Sequence, residues 1–164
     1  MQRFAWGIFA AAIAIAVAVI VGTQGELPAV VATHFGAGGR ANGWMQHGLY
    51  TLLMVVLVVG APLAVAAATV WLPRVAPSLL KLDRCKRWAD PKARPAILAS
   101  TAMFGAIVGA MLAAFIALLH LLVVDAHERA PPQLDESRFV TLAVTFLVAM
   151  VVACVLHTIQ TRRA

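Results

Sequence analysis

The sequence predicts an all-α fold: an integral membrane four-helix bundle with a folded-back, Gly-rich extracytoplasmic loop between helices 1 and 2. Three observations predict it. Of 164 residues, 62% are hydrophobic and 12% charged, with a mean hydropathy of +0.89; a soluble domain of this size buries too little of its surface to hide so much apolar area. Four long runs, Phe4–Val21, Leu49–Leu72, Ile97–Val124 and Phe139–Ile159, contain no Asp, Glu, Lys or Arg. The basic residues between the runs are distributed very unevenly.

A helix rises about 1.5 Å per residue and the hydrocarbon core is about 30 Å thick. The first and fourth runs therefore just span it, and the second and third are long enough to tilt or project beyond it. Spanning β-strands would show dyad alternation, which these runs lack. The first run also has the basic start (Arg3) of a signal peptide. Its apolar stretch is long for one and no A-x-A site precedes a polar start, which favours an uncleaved helix. In the second run Gly60-Ala61-Pro62 predicts a kink.

The segment 73–96 carries Arg74, Lys81, Arg84, Lys86, Arg87, Lys92 and Arg94; with Arg3, Arg162 and Arg163 it gives one side ten basic residues. The other side has Arg40, Arg129 and Arg138. The positive-inside rule then places both termini and segment 73–96 in the cytoplasm. The expected location is the bacterial cytoplasmic (inner) membrane, multi-pass. Ser78 is placed to N-cap a short helix carrying Leu79, Leu82 and Trp88 toward the bilayer surface. Net charge is +6, but its concentration in one loop points to topology and lipid headgroups, not nucleic acid. Cys85 and Cys154 lie in different kinds of segment without CxxC spacing, so neither a disulfide framework nor a zinc ribbon is indicated.

The first loop reads GTQGELPAVVATHFGAGGRANGWMQHG. Pro28 stops the first helix. Val30, Val31, Thr33 and Phe35 favour extended backbone. Gly36, Gly38, Gly39 and Gly43 follow closely, so the chain is expected to turn back sharply. Trp44 suits a headgroup layer. Gly36-x-Gly38-x-x-Ala41 resembles a dinucleotide fingerprint only superficially, because no βαβ unit follows. No cofactor is indicated.

Leu27-Pro28, then His34-Phe35, Gly39 and Gly43-Trp44, in this order and spacing, resemble the domain of unknown function at the start of SdpI-type membrane proteins. In that family the pattern looks like L-P-x(5)-H-F-N-x-x-G-x-P-D-G-x-x-x-K at the end of a first membrane helix. Here Gly36 stands in place of Asn, Ala41-Asn42 in place of Pro-Asp, and His47 in place of Lys. The resemblance implies that residues 1–72 form the SdpI-type domain, followed by a basic cytoplasmic loop at 73–96 and a second helix pair at 97–164. SdpI-type proteins are known for immunity to a secreted toxin and for holding a repressor at the membrane. They also carry a second membrane domain, for which 164 residues leave no room. The expected function is non-enzymatic: immunity to a toxin or antimicrobial peptide, or envelope sensing, through Leu27, Pro28, His34, Phe35, Gly39, Gly43 and Trp44. The alternatives are a small transporter, channel or accessory subunit, and a metal-dependent membrane enzyme.

The partners expected are the lipid bilayer and a peptide or protein ligand at the outer loop. Gly105-x-x-x-Gly109, flanked by Ala102, Ala106, Ala110 and Ala114, is a small-residue face. It serves either packing inside the bundle, the favoured reading, or homo-oligomerisation through the third helix. His120 and His157 are candidate polar sites within the membrane. His34, His47 and His127, with His120, are weak metal candidates, since their spacing does not enforce convergence. Glu26, Asp125, Glu128, Asp135 and Glu136 read as solvated loop charges unless one meets His34.

Overall fold

The computed structural model describes residues 2–78 and 86–163. In chain order it contains α1 (Gln2–Thr23), β1 (Val30–Phe35), β2 (Ala41–Gln46), α2 (His47–Val75), the short α3 (Lys86–Ala89), α4 (Arg94–His127) and α5 (Glu136–Arg163). Each expected apolar run lies inside one helix. Four helices are long and apolar enough to cross a membrane. The all-α expectation needs one correction: the first loop is an antiparallel β-hairpin, β1 against β2. Its β-branched run takes up ladder hydrogen bonds that a glycine-dense coil would leave to solvent.

The core is a three-helix assembly in stacked layers. Ala5 and Phe9 of α1 meet Ala66 of α2 and Ala106 of α4 in one layer. Ala16 and Ile20 meet Val58, Ala113, Ile116 and Ala117 in the next. Leu27, Val31, Tyr50 and Val124 close the stack beneath the hairpin. The fourth long helix, α5, stands at the side of these layers: it packs chiefly on α4 and buries little. Two aromatic stacks hold it there, Phe115 on Phe146 (centroids 4.3 Å apart) and Phe104 on His157 (4.5 Å). Its Val-rich face, including Val144, Val148 and Val151, stays exposed.

The G-x-x-x-G face is filled from within the chain. A Cβ on Gly105 would lie 1.7 Å from Thr69 Oγ1, and one on Gly109 would lie 2.5 Å from Phe9 Cε2 and 3.2 Å from the Pro62 carbonyl oxygen. These glycines let α4 approach α1 and α2 closely, which is how helices associate where apolar area alone gives no drive. Within the chain, Thr69 and Phe9 lie against this face, which is the packing expected inside the helix assembly. α2 runs as one helix through Pro62 and Pro73, both buried.

Ser78 lies at the edge of the described residues, and Leu79, Leu82 and Cys85 of the expected surface helix lie outside them. Trp88 is covered by Arg94, whose guanidinium sits 5.0 Å from the ring centroid and donates to the Trp88 carbonyl.

Gly105→Val should destabilise the protein by about 1–3 kcal/mol through overpacking, read as a lowered midpoint of unfolding in detergent. Adding Thr69→Ala should restore part of that loss, because Thr69 is the atom group struck.

Candidate functional site

The hairpin is held at three places, each set by local sequence. At its base, Leu27, Val31 and Met45 pack on Tyr50 and Val124, and His47 N–H donates to the Ala29 carbonyl (3.0 Å). Along the free edge of β1, Ala32 N–H donates to His127 Nε2 (2.9 Å), while His127 Nδ1 lies 2.7 Å from the Val123 carbonyl. A carbonyl only accepts, so Nδ1 carries the proton and Nε2 is bare. At the tip, Gly38 and Gly39 have φ of 74° and 69°, a region that favours glycine.

The tip is clamped by the segment joining α4 to α5. Gly39 O accepts from Leu134 N–H (2.8 Å), Gly39 N–H donates to Glu136 Oε1 (3.0 Å), and Gln133 Nε2 donates to Gly38 O (2.9 Å). A Cβ on Gly39 would fall 2.1 Å from the Leu134 carbonyl oxygen. Gly39 is therefore required by a close approach as well as by its φ. The clamp is anchored in turn by Asp135, whose Oδ1 accepts from the backbone N–H groups of Ser137 and Arg138 and from the Ser137 hydroxyl, capping α5. The Ser137 hydroxyl bond, the backbone bonds and the charge of Arg138 together hold the Asp135 carboxyl below the usual carboxylate range. Arg138 bridges to Asp125 at 3.2 Å, tying α5 back to α4.

Beneath the hairpin lies a closed polar knot. His120 is fully buried. Its Nε2 is 2.8 Å from Thr23 Oγ1 and its Nδ1 is 3.0 Å from the Tyr50 hydroxyl. Thr23 donates its single hydroxyl proton to the Val19 carbonyl (2.8 Å), so it accepts from Nε2–H. Nδ1 then accepts from Tyr50. One neutral imidazole thus joins α1, α2 and α4, with each of its nitrogens satisfied, as a buried polar group requires.

The residues singled out in sequence fall into distinct places. Leu27 is buried in the base, Gly39 is buried in the clamp, and Pro28 is exposed. His34 is exposed, with Nδ1 2.6 Å from Asn42 Oδ1, and lies over Gly43, where a Cβ would be 2.8 Å from the His34 Cβ. Phe35 is half-buried, and Trp44 is 57% exposed. His157 stacks on Phe104 beside a cleft of about 340 Å³ walled by Ala68, Leu72 and Ile97. The weak metal candidates have separate partners: His127 is engaged with Ala32 and Val123, His34 with Asn42, and His120 with Thr23 and Tyr50. Among the described residues, no three His, Cys, Asp or Glu side chains come together in a way that could hold a metal ion. Sequence reasoning passed over Thr23, Tyr50 and Gln133. The first two were detectable by depth, since Thr23 lies just past the end of the first run, Tyr50 is near the start of the second, and His120 is near the matching end of the third.

The fold defines a class: a helical chain with four helices long and apolar enough to span a membrane, capped at one end by a clamped β-hairpin. Within it, residues 7–60 match a family described as a domain of unknown function (DUF1648). That match takes in most of α1, the whole hairpin and the first half of α2. No curated protein and no solved structure matches the chain.

Tyr50→Phe should cost about 1–3 kcal/mol, because it leaves a buried ring nitrogen without a donor. His120→Leu should make Tyr50→Phe nearly silent in the double mutant, since the two act as one unit; unfolding midpoints of the four proteins check this. The Asp135 cap stabilises the start of α5 fully above the ordinary carboxylate value of 3.8. That contribution should be lost as pH falls through the lowered native value, because the unfolded chain then takes up the proton more readily. Hydrogen exchange at Ser137 and Arg138 should show this loss in the native protein and not in Asp135→Asn.

Proposed function

We propose that the chain is a non-enzymatic, multi-pass integral membrane protein of the SdpI-like type, with its hairpin on the non-cytosolic face. Its task is to bind an envelope-directed peptide there, giving immunity or sensing. The observation that carries this reading is the clamp at Gly38–Gly39. A hairpin that served only to link two helices would not need three hydrogen bonds from a distant segment to fix its tip. Fixing it lowers the ordering cost of binding, the general use of preorganisation. The surface so held presents His34 and Trp44 outward.

Support for the orientation comes from the basic residues of segment 73–96 and from the opposite placement of the hairpin in the fold. A transporter or channel finds less support, since each nitrogen of the buried His120 is already engaged. An enzyme finds less as well: Asp125, Asp135 and Glu136 are engaged in an ion pair, a helix cap and the hairpin clamp, and none meets His34.

In cells exposed to a panel of envelope-active peptides, loss of the protein should lower tolerance to at least one of them. His34→Ala and Phe35→Ala should lose the protection while membrane abundance stays unchanged. Tolerance that is the same with and without the protein across the panel would refute the reading.

A further inference from the structure

The two edges of the hairpin are treated differently. The free edge of β1 is covered by α4, through the bond from Ala32 N–H to His127. On the free side of β2, Arg40, just before the strand, bridges antiparallel to Gln133. Beyond that bridge the would-be third strand ends at Pro132 and Pro131, which have no N–H to donate to a ladder. The remainder of β2, Ala41–Gln46, has no other strand on this edge among the described residues. An unpaired edge is a template for another strand.

A cleft of about 430 Å³ runs along this edge, lined by Arg40, Ala41, Trp44, Pro131, Pro132 and Gln133. That volume is in the range of ligand sites, about 300–1,000 Å³. Trp44 and the two prolines supply rigid apolar walls. Arg40 is exposed and has no ion pair among the described residues, whereas Arg129 and Arg138 are both paired with aspartates. A strand that continues the line of Gln133 along β2 runs antiparallel to it. Its C-terminal end therefore arrives at Arg40.

We propose that the open edge of β2 and its cleft receive an extended peptide by strand addition, with an apolar side chain against Trp44 and the terminal carboxylate on Arg40. This rests on the reading of the hairpin as a peptide-binding element and specifies its ligand class. Backbone hydrogen bonds supply affinity, the Trp44–proline walls select an apolar residue, and the guanidinium selects a free carboxylate.

The test uses the full chain in lipid nanodiscs and a synthetic library of peptides about eight residues long with free C-termini, beside the same library as C-terminal amides. Binding should favour the free acids, and amidating a selected peptide should weaken it about tenfold. Arg40→Gln should weaken the acid by a similar factor and leave the amide unchanged, while Arg40→Lys retains most of the binding. Methylating alternate backbone nitrogens of the peptide should abolish binding. Trp44→Ala should lose the apolar preference. Arg40 makes no side-chain hydrogen bond or ion pair among the described residues, so its variants test recognition without disturbing the fold. The proposal is overturned by an absence of binding, by equal binding of acids and amides, or by unchanged binding to Arg40→Gln. A dimer of this chain that depends on Trp44 and forms in place of peptide binding overturns it as well. If peptide tolerance in cells depends on His34 while Arg40→Gln protects fully, this inference fails and the broader reading stands. If tolerance never depends on the protein, the broader reading fails, whatever the nanodiscs bind.

Discussion

The hairpin end of the molecule depends on the length and inner face of α4. At 34 residues it is longer than α1, α2 and α5, which have 22, 29 and 28. His120 and His127 are seven residues apart, two turns, and so lie on one face. The first imidazole gathers α1 and α2, and the second reaches β1. Val124, between them on the same face, packs on Leu27 and Val31. A shorter α4 would still be long and apolar enough to cross a bilayer, but it would leave the hairpin without a floor.

The same face changes chemistry along its length for a physical reason. At the far end it is glycine and alanine, because there α4 must approach α1 and α2 at backbone distance. In the middle it is Ala113, Ile116 and Ala117 against Ile20 and Val58. Only beneath the hairpin does it turn polar. There, the Thr23 and Tyr50 hydroxyls and the Ala32 N–H need partners, and histidine meets that need with one donor and one acceptor on a rigid ring. The two histidines are in effect opposite tautomers, Nε2–H at His120 and Nδ1–H at His127. Each is set by the carbonyl or hydroxyl it faces.

Much of this was legible in the chain. The four helices followed from charge-free runs, and the turn from Pro28 and the glycines. The glycines' deeper reason was hidden, because Gly39 is demanded by the Leu134 carbonyl, a residue 95 positions away that no local pattern marks. The hairpin itself was only half visible. Val30–Phe35 has strand-forming composition, but a bulge around Thr33 breaks the alternation that would have declared it. Whether the outer histidines converge was not legible, because shared sidedness does not fix distance. Those histidines do lie toward one end, but each is satisfied separately. The weak attachment of α5 was also invisible, since a helix whose apolar side chains stay exposed has the same composition as one that is buried.

Placing the hairpin between α4 and the α4–α5 segment has one more consequence. Helix α5 contributes little to the core, yet its first residue, Glu136, bonds the hairpin tip and its cap orders the clamp. The stacks of Phe146 on Phe115 and His157 on Phe104 therefore do more than hold α5 to α4. They fix where the clamp stands, and so how the edge of β2 is offered. In this arrangement the helix least engaged in the core governs the surface proposed for recognition.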